Sequence, residues 1–535
     1  MLKMNSKADT IDARFVTEYQ IPETMRLPSE RHQSVYLVNG ELKSWKGDYY
    51  QIDSPVLIRE GEQLQTKRLG AAPAMTALEA GAALDAAVAA YDRGMGPWPS
   101  ASIQQRIEAV EAFIQSAAQQ KDTIVRFLMW ETAKTYVESV SEFDRTIRYM
   151  EDSVEHMRTL DVEGRAFHHD GGFWGQISLR PIGVVLCMGP SNYPLYETYS
   201  LVIPALLTGN TVILKFPRIG VMLHGPLLQA LRDCFPPGVV NVLYGDGEAV
   251  TGPIMASGNV DVLAFMGPSQ YAGNLILKHP APHRLHLVLG LEAKNPAIVM
   301  DDADLELTIP ECVLGALAYN GQRCAALKLL FVHQSIMDRF LPLLEEAVFA
   351  TGVGMPWDDN IRITPLADPQ RLPYLQGLVE DAVANGARVV NAGGGQVVGT
   401  IFYPAILYPV SQSMRVYREE QFGPIIPVAS FNDISEPIHY LQESRFGQQA
   451  SVFGRDAEQV SRVAEGIANY VSRVNINAKC QRGPDLFPFG GKKDSGQGVL
   501  SIRDALESFA LKTVVAAKEN EGNSTIKNYL DNLTV

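Results

Sequence analysis

An α/β fold organised around parallel sheets is predicted by three observations. From residue 181, short apolar runs alternate with segments of helical period. Each run closes on glycine or proline, and the same alternation resumes near residue 295. Strands alternating with helices imply right-handed crossovers and parallel pairing. Ligands of such sheets bind at the carboxyl ends of the strands, where these glycines and prolines collect.

Residues 1–30 carry no clear period and are expected to form a loose extension. "SVYLVNGEL" reads as a first strand with a turn at Asn39-Gly40. Two helical patterns follow, "ALEAGAALDAAVAAYDRG" and "SIQQRIEAVEAFIQSAAQQKDTIVRFLMWETA", with apolar residues recurring at three and four. The runs "GVVLCMGP", "TVILKFP", "VVNVLYG", "VLAFMG" and "LHLVLG" predict strands, and "YSLVIPALLTG" and "VMLHGPLLQALRDC" predict helices between them. The second alternating region runs from "NPAIVMDDADL" to about residue 490, with strands "KLLFVH", "ARVVNAGG", "PIIPVASF" and "ASVFGRD". The tail "ALKTVVAAKENEGNSTIKNYL" is strand-like and then polar. A terminal strand without a local partner is expected to pair with another subunit.

The chain has 535 residues, 46% hydrophobic and 20% charged, enough for a large core in two or three domains. A net charge of −14 and a pI near 5.3 argue against nucleic acid, since no basic run is present to displace counterions from phosphates. The amino terminus is polar without a signal-type segment, and the most apolar stretch, "LVIPALLTGNTVIL", is too short and broken to span a bilayer. Five scattered cysteines (187, 234, 312, 324, 480) read as reduced thiols, with a cytoplasmic location and no zinc spacing among them.

Single motifs carry moderate signals. "GDGEAV" at Gly245 lacks the third small residue of a dinucleotide loop. Cys324 in "YNGQRCAALK" admits two readings: a packed core thiol, or a nucleophile whose pKa the adjacent Arg323 cation lowers. Asn192 beside Pro194 is, taken alone, a turn former.

Together, "NGQRC", "GPSNYPLYE", "VILKFP", "EEQFGPIIP" and "FPFGGKKDSGQG" resemble, in order and spacing, the aldehyde dehydrogenase superfamily over residues 35–515. "NGQRC", "NAKCQRGPDLFPFGG" and the tyrosine of "SNYP" are similar to its non-phosphorylating, NADP-dependent glyceraldehyde-3-phosphate dehydrogenases.

The resemblance implies a Rossmann-like parallel-sheet cofactor domain (31–165 and 182–290) and an α/β catalytic domain (291–495). Oligomerisation strands and tail (166–181 and 496–535) would build a tetramer or dimer. It also implies that Cys324 attacks the aldehyde, that Asn192 and the cysteine N–H hold the oxyanion, and that a base hydrolyses the thioester. Where the family has its glutamate base this chain has Gly290. Glu292, two residues on, is the expected base, against the plainer reading of a partner for Lys294.

Lys215, Gly267, Glu420 and Phe422 are expected to hold the cofactor. Arg218, where NAD-preferring members carry a glutamate, favours NADP, with NAD still possible. Pro268 has no N–H to offer a pyrophosphate. Arg145, Tyr193, Arg323 and Arg482 match the phosphate-binding set, so the expected substrate is a small phosphorylated aldehyde. Another anionic semialdehyde, or a nucleotide-binding protein with little turnover, are the alternatives. No metal is expected.

Overall fold

The computed structural model describes residues 7–27 and 30–533. In its first sheet Val240–Leu243, Thr211–Lys215, Val184–Met188, Val262–Met266 and His286–Gly290 lie in that order, all parallel, with Gly496–Gln497 antiparallel at the edge. Every residue of Val184–Met188, Thr211–Lys215 and Val262–Met266 is buried. That burial explains why these strands read as continuous apolar runs rather than alternating ones.

From Val184–Met188 the chain steps outward twice, then returns to the other side of the starting strand at Val262–Met266. This reversal places a crevice at the carboxyl ends of the two central strands. The loops leaving these ends carry Asn192, Pro217, Gly267 and Glu292, and all four line one cleft.

The second sheet runs Arg388–Val389, Ala405–Tyr408, Ile425–Phe431, Leu327–His333, Asn295–Val299, Gln449–Phe453 and Arg473–Ile476. Only its first pair is antiparallel. Its Leu327–His333 strand follows Cys324 directly and brings the nucleophile candidate to the same cleft.

Local rules place most of the helices. Thr76 and Glu79 cap Ala77–Tyr91 reciprocally, as Ser102 and Gln105 cap Ile103–Ala118. The single helix expected over residues 102–133 breaks after Ala118 and restarts at Lys121. The break re-aims the apolar stripe, so that Ile107, Val110 and Ile114 and then Ile124 and Leu128 are all buried. The 30-residue helix Tyr136–Arg165 and the hairpin Tyr49–Glu60/Gln63–Pro73 were not expected.

Two expectations are corrected. Of the expected extension the described residues 7–27 are not loose: Ile11, Phe15 and Ile21 are buried, and Arg59 donates to Phe15 O (3.1 Å) and to Asp12 Oδ2 (2.7 Å). Three apolar residues at irregular spacing give no period, yet they suffice to dock a segment on a hairpin. The tail strand Ala510–Lys518 also has a partner in its own chain, pairing antiparallel with Phe173–Pro181 over nine residues. Its separation of over 300 residues from that partner hid the pairing. The polar stretch after it forms a helix, Glu521–Leu533.

Candidate active site

A cleft of about 1180 Å³ joins the two sheets and is lined by Cys324, Asn192, Glu292, Lys215, Gly267, Glu420, Phe422, Arg145, Tyr193, Arg323 and Arg482. Of the residues expected to act, Arg218 alone does not line it; its side chain is exposed at the rim. Ordinary ligand pockets reach about 1,000 Å³, so the space suits a dinucleotide together with a small substrate.

The loop that presents Cys324 is strained. Tyr319, Asn320 and Gly321 take φ of 49°, 54° and 70° in succession. A side chain at Gly321 would sit 2.7 Å from the carbonyls of Ala316 and Gly423. Each left-handed non-glycine residue costs about 1–2 kcal/mol, so the surroundings must impose the shape. Tyr319 donates to Thr132 O (3.0 Å), and Asn320 bridges Thr364 through its N–H (3.0 Å) and its carbonyl (3.0 Å). Strain held in this way concentrates at functional sites.

The thiol itself corrects one expectation. Arg323 turns away from Cys324 and donates to Gly315 O (3.0 Å), because successive side chains project in different directions. Burial pushes the Cys324 thiol above its usual range, and the Glu197 carboxylate pushes it further; Lys328 and a bond with Gln448 pull the other way. The cation beside the cysteine is Lys328, which donates to Cys324 O (2.7 Å) and to Glu420 Oε1 (2.5 Å). A buried lysine in the apolar strand Leu327–His333 was the overlooked signal, because such a charge needs a partner.

Asn192, expected as an oxyanion donor, stands against the loop that carries Cys324. Its Nδ2 donates to Gln322 O at 2.9 Å, which sets the amide on the nucleophile loop. The loop after it is pinned by Glu142 Oε1, which accepts from Leu195 N (3.1 Å) and Tyr196 N (3.2 Å). Glu142 is in turn paired with buried Lys134, whose Nζ lies 3.5 Å from the Tyr193 ring centre.

At the cofactor end, Lys215 finishes its strand almost wholly buried, and burial lowers its pKa to about 8, against the raising pull of Asp246. Asp246 caps the helix Gly247–Ala256 by accepting from Ala249 N (3.1 Å), so the "GDGEAV" turn is a helix start on the cleft. Glu420 accepts from Ala293 N (3.1 Å) as well as from Lys328. Phe422 is held at φ 47° on the cleft wall.

Glu292 is held by a residue the sequence did not suggest. Its Oε2 accepts from Ser269 N (3.0 Å) and Ser269 Oγ (2.6 Å), at the start of the helix Ser269–Lys278. Lys294 does not pair with it and donates to Gln421 Oε1 (2.6 Å). A carboxylate at a helix N-terminus is favoured by the free N–H groups and the helix dipole, which accounts for its bonds to Ser269.

At the substrate end the arginines are paired. Arg145 grips Asp485 through two bonds, 3.0 and 2.5 Å, and Tyr196 OH adds a third to Asp485 Oδ1 at 2.8 Å. Burial is the strongest single influence on the Asp485 carboxyl and raises it, but the bond and charge of Arg145, with Tyr196 and Arg482, together outweigh it and hold the carboxyl below its ordinary range. Arg482 Nη1 lies 2.8 Å from Glu197 Oε2 without the alignment of a hydrogen bond, and among the described residues neither of its Nη groups finds an acceptor. The two guanidinium groups flank the Tyr196 ring at 4.3 and 5.0 Å. Asp485, Glu197, Tyr196 and Gln448 were all missed in the sequence.

A strained cysteine loop, an asparagine amide against it and a parallel-sheet crevice meet in one cleft, the arrangement of an enzyme site. The family model described as aldehyde dehydrogenase matches residues 59–515, and this chain belongs to that family. It is an oxidoreductase acting on aldehydes. An NADP-dependent glyceraldehyde-3-phosphate dehydrogenase of Streptococcus equinus is 33% identical over 481 residues, 88% of this chain and 96% of the relative. The NADP-dependent succinate-semialdehyde dehydrogenase of Escherichia coli is 28% identical over 483 residues, 88% of this chain and 95% of the relative. The crystal structure of the NADP-dependent glyceraldehyde-3-phosphate dehydrogenase of Bacillus halodurans, complexed with NADP, superposes with a TM-score of 0.82 at 32% identity, covering 91% of this chain and 100% of that one.

Proposed function

We propose that this enzyme oxidises an anionic aldehyde with NADP, glyceraldehyde 3-phosphate to 3-phosphoglycerate being the leading reaction. The observation that carries it is Arg482: buried on the cleft wall, with unsatisfied N–H groups at both Nη atoms. A buried donor without an acceptor costs about 1–3 kcal/mol, and an anionic substrate group would relieve it.

In this reading Cys324, as thiolate, adds to the aldehyde carbon. The oxyanion of the thiohemiacetal accepts from Asn192 Nδ2 and the Cys324 N–H. Loss of hydride leaves a thioester, which water hydrolyses to the acid. Bound along Lys215, Glu420 and Phe422, NADP would supply the hydride acceptor. The cleft fits it at Lys215, a nearly buried amine on its wall. At the pyrophosphate position the fit requires a change, since Pro268 has no N–H and Glu292 already takes that of Ser269.

A second reading is favoured by the pairing of arginines with carboxylates. Asp485 and Glu197 offset Arg145 and Arg482, which leaves less positive charge for a phosphate dianion and suits a singly charged semialdehyde. The exposed apolar side chains Phe173, Ile177, Val514 and Val515 on the paired strands Phe173–Pro181 and Ala510–Lys518 support a homo-oligomer. No helix among the described residues is long and apolar enough to cross a membrane, and the proposed location is the cytoplasm.

The test is kcat/KM over glyceraldehyde 3-phosphate, glyceraldehyde and succinic semialdehyde, each with NADP and NAD. Preference for the phosphorylated aldehyde over both others supports the first reading; preference for the semialdehyde replaces it with the second. NAD favoured over NADP, unaltered in Arg218→Glu, overturns the cofactor assignment.

A further inference from the structure

We propose that Glu197 is the base that takes the proton from the water hydrolysing the Cys324 thioester. The inference rests on the acyl-enzyme reading above and supplies the residue that reading lacks. The chain has glycine at position 290, and a side chain there would first meet Met266 Cγ at 3.2 Å. Glu292 is engaged at Ser269 by both the N–H and the hydroxyl. Glu420 is engaged by Lys328 and by Ala293 N. Two of the cleft carboxylates therefore stand committed to other donors.

Glu197 differs from both. It projects into the cleft from the otherwise buried helix Tyr196–Leu207, and only 6% of it is exposed. Its Oε2 is held by Ser200 Oγ (3.2 Å) and lies 2.8 Å from Arg482 Nη1. Among the described residues its Oε1 has no hydrogen-bond donor, yet it is not among the buried atoms left unsatisfied, so it opens on the cleft. Of the charges acting on the Cys324 thiol, that of Glu197 is the largest. Burial raises the carboxyl above its ordinary range, more than Arg482 lowers it, and a base poised nearer neutrality is the more effective one.

The step balances without a co-reactant. The water oxygen bonds to the thioester carbon as its proton passes to Glu197 Oε1. The carbon–sulfur bond then breaks, Cys324 leaves as thiolate, and the carboxylic acid product departs as carboxylate after giving its own proton to solvent. The Glu197 proton is released through the open cleft. Ser200 Oγ and the charge of Arg482 hold Oε2, which leaves Oε1 to the cleft; Asn192 holds the second oxyanion as it held the first.

The experiment is a rapid-mixing measurement of NADPH formation in Glu197→Gln, with Glu292→Gln alongside. Glu197→Gln is expected to give a burst of about one NADPH per site. Its steady rate then falls by roughly a hundredfold or more, the scale of a lost general base, while acylated Cys324 accumulates in the mass spectrum. Hydroxylamine, which cleaves thioesters without a base, should restore turnover, and a purely structural role would not give that rescue. Glu292→Gln should show no burst. A burst in Glu292→Gln, or none in Glu197→Gln with an unchanged steady rate, overturns the proposal. Should Glu197→Gln fail to fold, Glu197→Asp, with the carboxylate withdrawn by one methylene, is read by the same two signals. NADPH production by Cys324→Ser would overturn the acyl-enzyme reading itself, a different outcome from either.

Discussion

The two ends of the cleft are built on opposite plans. The cofactor end is made of backbone: strand ends, helix starts at Asp246 and Ser269, and one lysine at the end of a buried strand. The substrate end is made of charged side chains locked to one another, Arg145 with Asp485, Arg482 with Glu197, and Lys134 with Glu142. A backbone site needs few particular residues and tolerates change around it. A side-chain site depends on each partner, because removing one strands the other in a medium that charges it steeply for being alone.

That contrast can be broken most sharply between the two ends, at the nucleophile. Cys324→Ser should lose dehydrogenase activity by at least about a thousandfold and keep its NADP affinity, measured by fluorescence titration. Loss of both together would mean that the ends are not independent.

Asn192→Ala comes next, with kcat expected to fall about 10²–10³-fold, the usual effect of deleting one oxyanion donor. The KM for aldehyde should stay nearly constant. A change confined to KM would return Asn192 to the role of a turn former.

At the substrate end, Arg482→Gln should lower kcat/KM for the preferred anionic aldehyde by about ten- to a hundredfold, as expected for a charge-assisted contact, with a much smaller loss on uncharged glyceraldehyde. Both side chains of its pair are more than nine-tenths buried. The variant should therefore also unfold at lower temperature, since breaking a buried pair costs about 3–5 kcal/mol. Equal kinetic losses on both substrates would make Arg482 structural.

Asp485→Asn sharpens the comparison from the other side by freeing Arg145. For a partly exposed pair the gain is modest, roughly two- to fivefold in kcat/KM for a phosphorylated aldehyde over an uncharged one. No gain would show that Arg145 serves only Tyr196 and Asp485.

The smallest effect concerns the thiol. With Cys324 held protonated by burial and by Glu197, alkylation of the cofactor-free enzyme by iodoacetamide should titrate above the ordinary thiol value of about 8.5. The thiolate appears only as pH rises through that raised value, so labelling is slow at neutral pH and climbs beyond it. Glu197→Gln should move the midpoint down. Labelling already complete at neutral pH would restore the cation-activated thiol.

What the sequence alone determined is the part written in local chemistry. Apolar runs closed by glycine or proline marked every strand of the first sheet except the two-residue edge Gly496–Gln497, and apolar residues recurring at three and four marked the helices Ala77–Tyr91 and Ile103–Ala118. The motifs brought Cys324, Asn192, Lys215, Glu420, Arg145, Arg323 and Arg482 to one cleft, and the structure places them there while leaving Arg218 outside it. What only the tertiary structure decided is who sits beside whom. Arg323 precedes Cys324 in the chain but bonds Gly315, while Glu197, 127 positions upstream, is the charge that acts most strongly on the thiol. Glu292 chose the N–H of Ser269 over Lys294 for the same reason. Strand and helix follow from interactions within a few residues, which a sequence displays; the protonation and reach of a side chain follow from burial and from charges brought together across hundreds of residues, which only the fold supplies.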